Sequence, residues 1–168
     1  MWYVIQVRSG TEEKIKEQCL KAIDRVILEQ CFIPYYEEKK RYQGAWHTEN
    51  KILFPGYVFA VSDRLDDLYK NLRKVIGMTK LLGTGDEIVA LKEEEVSLLK
   101  KMGVDERPVE ISTGIMENGT VTILEGALAG MEGCIRKIDR HKRKAWLEVE
   151  MFGRTIEMEA GLEVMEKK

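Results

Sequence analysis

Apolar and polar positions divide the first hundred residues into short alternating runs and longer repeats of helical period. Residues 2–8 alternate, are rich in aromatic and β-branched side chains, and break at Ser9-Gly10, which predicts a strand feeding a helix. Ser9 and Glu12 have capping-box spacing, so the Ser9 hydroxyl is expected on the amide of residue 12 and the Glu12 carboxylate on the Ser9 amide. Ile15, Cys19, Ala22, Ile23, Val26 and Ile27 recur at helical spacing and carry the helix to about Leu28. Residues 31–36 read as a second short strand, and residues 37–50 as a solvated loop or a protruding hairpin turning at Gly44. Leu65, Leu68, Tyr69, Leu72 and Ile76 mark a second helix stopped by Gly77. Residues 79–82 give a weak strand, and Leu91, Val96, Leu99 and Met102 a third helix ending at Gly103. The order β-α-β-β-α-β-α predicts an open sheet with helical crossovers between parallel neighbours.

One stretch stands apart. Residues 52–61 are apolar except for Pro55 and Gly56, too few to cross a membrane, which takes about 20. Pro cannot donate to a ladder, so the stretch reads as a bent strand. Ile52, Phe54, Val58 and Ala60 share one parity and Leu53, Tyr57, Phe59 and Val61 the other, so both faces need cover. Two readings stay open: a core strand buried on both sides, or an aromatic face left for a partner.

Periodicity is lost over residues 104–118, which contain Pro108 and Gly114, placing a linker there between a domain of residues 1–106 and one of 107–168. Beyond it, residues 121–124, 134–138, 145–151 and 155–158 are short strands separated by glycines or charges, the pattern of a small β-barrel. The fold class is α+β. A length of 168 residues with 44% hydrophobic content accommodates two such small cores.

Composition narrows the chemistry. A net charge of −2 excludes a protein that coats nucleic acid through overall charge, but not a local basic patch. Cys19, Cys31 and Cys134 are odd in number and lack metal-ligand spacing, so neither a disulfide framework nor a zinc site is expected. The N-terminal residues carry no signal-peptide pattern, and a cytoplasmic, membrane-free protein is expected. His47 and His141 fall in different domains, and Gly83-Thr84-Gly85 lacks the Lys and third glycine of a phosphate cradle. No catalytic residue, metal or cofactor is expected.

The strongest electrostatic feature is residues 136–144, with six Lys or Arg against one Asp. It reads as a solvated hairpin or as a phosphate-binding loop. Leu147, Val149 and Met151 share the interior parity, which turns Trp146 outward, either as a base-stacking surface or to pack on the other domain.

Three stretches together resemble the NusG family of transcription elongation factors. Trp2-Tyr3-Val4-Ile5-Gln6 with Ser9-Gly10 and Glu12 is similar to the opening of its N-terminal domain, and Phe54-Pro55-Gly56-Tyr57-Val58 to that domain's signature strand. Gly126 through Gly133 into Ile135, then Phe152-Gly153-Arg154, resembles its C-terminal KOW domain. The run Arg140-His141-Lys142-Arg143-Lys144-Ala145 resembles the operon-specific LoaP-type paralogs. The resemblance implies a NusG-like αβ sandwich followed by a small SH3-like barrel, acting as a monomer. It further implies that Trp2, Phe54, Pro55 and Tyr57 bind the clamp helices of the largest RNA polymerase subunit. Arg136, Lys137, Arg140, His141, Lys142, Arg143, Lys144 and Trp146 would bind nascent structured RNA. In the general factor, positions matching Phe152 and Arg154 contact termination factor Rho or a small-subunit ribosomal protein. Three functions follow in order: an operon-specific antitermination factor, a general elongation factor, and a ribosomal RNA-binding KOW protein.

Overall fold

The computed structural model describes residues 1–166. In chain order its elements are β1 (Trp2–Val7), α1 (Glu12–Ala22), β2 (Gln30–Phe32), β3 (Tyr35–Tyr42), β4 (Ala45–Ile52), β5 (Tyr57–Val61), α2 (Leu65–Leu72), β6 (Thr79–Leu81), β7 (Gly83–Thr84), β8 (Glu87–Ile88), α3 (Glu93–Met102), β9 (Ser112–Glu117), β10 (Thr120–Glu125), β11 (Ile135–Asp139), β12 (Lys144–Met151) and β13 (Arg154–Glu166). They form two compact units, one of Met1–Pro34 with Phe54–Leu98, the other of Tyr35–Leu53 with the chain from Leu99 onward.

The first unit holds the sheet β2-β5-β1-β6, antiparallel at every pairing. Parallel neighbours were the expectation from the element order. Instead β1 and β2, joined by α1, run the same way with β5 inserted between them, and β5 and β6, joined by α2, have β1 between them. Each crossover skips one strand, the split βαβ arrangement. Central β1 is therefore covered on both faces, with Trp2, Tyr3, Val4, Ile5 and Val7 buried.

Residues 52–61 are not one bent strand. The Tyr57 amide donates to the Phe54 carbonyl at 3.2 Å, with Pro55 second and Gly56 third at φ +88°, the pattern of a type II turn. Both peptide groups of Gly56 are bound: its amide donates to Glu12 Oε2 at 3.1 Å, and its carbonyl accepts the Val7 amide at 2.8 Å. The other Glu12 oxygen accepts the Gly10 amide at 2.5 Å. The expected capping box does not form, because the buried Glu12 carboxylate turns inward to these glycines and α1 starts after Thr11 with no side-chain cap. That helix also ends earlier than its apolar spacing suggests. Asp24 Oδ1 accepts the Val26 amide at 2.9 Å, and this Asx turn leaves Val26 exposed. Ile76 likewise lies beyond α2, which ends at Leu72, and is 84% exposed.

The second unit holds the sheet β10-β9-β13-β12-β11, in which β9 and β13 pair in parallel. Among the described residues β10 and β11 are the two edges and are not paired, so the expected barrel is not closed. A cleft of about 570 Å³ lined by Val121, Glu132, Ile135 and Lys137 lies there. Residues 104–118, expected as a linker, contain β9 and a backbone exchange with β3: the Glu37 amide donates to Val109 O at 2.9 Å and the Val109 amide to Tyr35 O at 2.8 Å. Periodicity fails there because the segment is short and its strand half-buried.

Residues 37–50 form the hairpin β3–β4, turning through Gln43 and Gly44, both at positive φ. Its base rests on β13 so closely that a Cβ on Gly161 would lie 2.8 Å from the Glu37 carbonyl. A buried ionic network holds it. Lys144 Nζ pairs with Glu38 Oε1 and lies 3.2 Å from Glu159 Oε2. The Tyr36 hydroxyl donates to Glu159 Oε2 at 2.8 Å and Trp146 Nε1 to Oε1 at 2.9 Å. Lys51 Nζ sits 3.0 Å from Glu38 Oε2, an ion pair without a well-directed hydrogen bond. Burial alone would push Glu38 and Glu159 up and Lys144 down, but the hydrogen bonds outweigh it, lowering both carboxyls and raising the ammonium. Burial, then the bond to Glu159, pushes Tyr36 far up.

Two outcomes follow for stability. Glu12→Ala frees the buried Gly56 amide and the part-buried Gly10 amide and is expected to cost about 2 kcal/mol, read as faster hydrogen exchange of β1 and β5; unchanged exchange would show the carboxylate to be dispensable. Lys144→Met leaves the buried Glu38 carboxylate with Lys51 as its remaining cation, at an expected cost of about 3 kcal/mol in urea unfolding of the second unit. In the native chain the lowered carboxyls contribute fully above their unfolded pKa, near 4.3, and the contribution falls away as pH drops through their folded values. Raised Lys144 contributes fully below about 10.4 and its contribution is lost as pH climbs through its folded value. The opening free energy of β3, taken from exchange rates corrected for the intrinsic base-catalysed rate, should therefore be highest on a plateau between roughly pH 5 and 10, and a slope in that free energy within the window would contradict the network.

Candidate polymerase and nucleic-acid interfaces

The four residues expected to meet polymerase separate by exposure. Pro55 is exposed and Tyr57 half-buried, whereas Trp2 and Phe54 are buried at 6% and 1%. Trp2 lies edge-on to Phe32 at 5.2 Å and to Phe59 at 6.4 Å, and Phe54 sits 5.9 Å from Phe59. The Pro55-Gly56 turn breaks the strand parity and folds Phe54 back onto Phe59, so the aromatic face expected to be open is a packed cluster. Phe59, named above for its parity, and Phe32, which the sequence pattern did not mark, belong to it. Nearby in chain order, a groove of about 580 Å³ is lined by Arg8, Lys14, Gln18, Ile76 and Met78, with Gln18 gripping both peptide groups of Ile76 at 2.9 Å.

The basic run lies on β11, the following turn and the start of β12. Asp139 Oδ1 accepts the Lys142 amide at 2.9 Å, which shapes the turn and holds the Asp139 carboxyl below its usual range. Arg143 closes the turn at φ +54°. Lys137, Arg140, His141 and Lys142 are exposed on it. Three of the basic residues have the following partners. Arg136 donates to the Gly133 carbonyl at 2.8 Å and to Glu148 at 3.4 Å, Arg143 pairs with Glu163 at 3.3 Å, and Lys144 is the buried member of the network above.

Trp146 faces away from buried Leu147, Val149 and Met151, beside exposed Glu148 and Glu150, but it is only half-exposed. Lys137 Nζ lies 4.8 Å and Lys144 Nζ 5.9 Å from its ring centre, and its indole N–H is held by Glu159. Phe152 and Arg154 bracket the β12–β13 turn, Phe152 half-buried at φ +59° and Arg154 exposed.

A second aromatic and basic group, unmarked in the sequence reading, stands at the β3–β4 tip. Tyr42 and His47 stack at 3.8 Å with planes 13° apart, and Arg143 lies 4.0 Å over the Trp46 ring. The signal was the interleaving of Lys39, Lys40, Arg41 and Tyr42 with Trp46 and His47 across one glycine turn. Among the described residues no group of acidic, His or Cys side chains could hold a metal, and no helix is long and apolar enough to cross a membrane.

Residues 1–100 match the profile of the family described as transcription termination factor nusG. The transcription termination/antitermination protein NusG of Bacillus subtilis is 31% identical over 166 residues, 94% of this chain and 93% of the relative. That of Halalkalibacterium halodurans is 32% identical over 175 residues, 99% of this chain and 97% of the relative. A solved structure of Thermotoga maritima NusG, described for its domain interaction, superposes with a TM-score of 0.63 at 25% identity, covering 95% of this chain and 92% of that one. With near full-length coverage and a like mixed fold, the chain belongs to the NusG family of transcription termination/antitermination factors.

Proposed function

We propose that this chain is an operon-specific antitermination and processivity factor. Residues 1–106 dock on the clamp helices of the largest RNA polymerase subunit, and residues 107–168 take up a structured leader RNA. The observation that carries the reading is the β11–β12 turn, where Lys137, Arg140, His141 and Lys142 are exposed together in an otherwise acidic chain. A polyanion is the natural occupant of such a turn. On the polymerase side Pro55 and Tyr57 form the contact, while Trp2 and Phe54 act from beneath as the packed support that fixes the turn. No catalytic step is involved.

A second reading is favoured by the internal engagement of Arg136, Arg143 and Lys144. With those three committed, the chain would serve as a general elongation factor whose Phe152 and Arg154 meet Rho or a ribosomal protein.

The full-length chain distinguishes these. Capture of core RNA polymerase should fall at least tenfold for Tyr57→Ala with the fold intact, as for a truncated interface anchor, whereas Phe54→Ala should first destabilise the first unit. Undiminished capture by folded Tyr57→Ala would remove the docking reading. RNA selection with the same chain should enrich a hairpin, and Lys142→Glu should lower the slope of affinity against salt by about one contact. Enrichment of no RNA, together with capture of Rho or ribosomes, would establish the general factor instead.

A further inference from the structure

We propose that the β3–β4 tip and the β11–β12 turn form one composite surface for the single-stranded segment of an RNA, with bases stacking on the Tyr42–His47 pair. This rests on the RNA reading above and moves its stacking surface from Trp146 to a hairpin nearly a hundred residues earlier in the chain. Three observations carry it. The two elements are in direct contact, since Arg143 of the turn lies 4.0 Å over Trp46 of the hairpin while Arg41 approaches the same ring at 6.0 Å. Tyr42 is 42% exposed and lies flat on His47, an aromatic plane held open at a hairpin tip. Trp146, by contrast, has its N–H on Glu159 and lysines over its ring, so its polar edge and its π-face are already engaged.

The surrounding charge favours a polyanion. Arg41 and Lys142 are exposed, Glu163 is paired with Arg143, and Asp139, bound to the Lys142 amide, is the charged carboxylate that remains in the turn. Aromatic planes stack on unpaired bases, which a closed duplex does not offer. The surface therefore fits a single-stranded loop, with phosphates toward Arg41 and Lys142 and bases toward Tyr42. A purely structural role is the competing account, because Arg41 and Trp46 are directly opposed across the hairpin and such pairs stabilise it.

The test uses the full-length chain and three probes in fluorescence anisotropy: a stem-loop RNA with an unpaired loop, the same stem closed by a non-nucleotide linker, and a DNA duplex of the stem sequence. Tyr42→Leu should weaken the stem-loop about tenfold with the salt slope unchanged, and Tyr42→Phe should restore it. Arg41→Glu should flatten the salt slope by about one contact. Neither Tyr42 variant should change binding of the linker-closed stem. Hydrogen exchange at β3 confirms that each variant keeps the hairpin seated. If the wild-type chain prefers the stem-loop while folded Tyr42→Leu and Arg41→Glu bind it equally well, the composite surface is wrong and the RNA reading stands on the turn alone. Equal binding of all three probes would mark a duplex-tolerant basic surface and also overturn it. Binding of none would overturn the RNA reading itself.

Discussion

The glycine at position 56 is bound at both of its peptide groups, and most of the first unit depends on that arrangement. Glu12 takes its amide and Val7 supplies a donor to its carbonyl, so one residue ties the start of α1 to the end of β1 and to the entry of β5. Gly56 stands at φ +88°, where a side chain would be strained, and Pro55 before it presets the turn. Strand β5 then enters the sheet between β1 and β2 in the one register that buries Val58, Phe59 and Ala60 together. A buried carboxylate spent on backbone amides needs no cation, because the amides themselves satisfy it.

The second unit is held by different means. Its hairpin is short of apolar residues, and Glu38, Lys144 and Glu159 take the place of a hydrophobic seam. These contacts join the hairpin to β12 and β13 at named atoms, Glu38 to Lys144 and Tyr36 to Glu159. The cost is functional. Charges that look available along the sequence are withdrawn from the surface, and the cations left outside sit where the hairpin and the turn meet.

Local signals were legible where chemistry is local. The strand at Trp2, the helices at Leu65 and Glu93, the glycine turn at Gly44 and the outward placement of Trp146 all follow from spacing. What was not legible depends on partners distant in the chain. Glu12 matches a capping box by spacing, and only the approach of Gly56 draws its carboxylate away. Insertion of β5 between β1 and β2 leaves no trace in the order of elements. Lys144 reads as one more base in a basic run, since nothing near it in sequence announces Glu38. The family resemblance rested on short motifs, and its broad assignment stands with the comparisons, while the finer roles of individual residues turn on burial that motifs do not encode.

The separation of Tyr36 from Glu159, 123 positions along the chain, bears on how the protein is made. At ordinary rates of synthesis roughly ten seconds pass between the emergence of the hairpin and that of the strand on which it rests. A lone two-stranded hairpin is marginally stable in water, so β3 and β4 spend that interval as an open ribbon with their edges unguarded. The dense charge of this hairpin, Glu37, Glu38, Lys39, Lys40 and Arg41 in succession, then has a second use. It keeps a waiting ribbon soluble until β13 arrives.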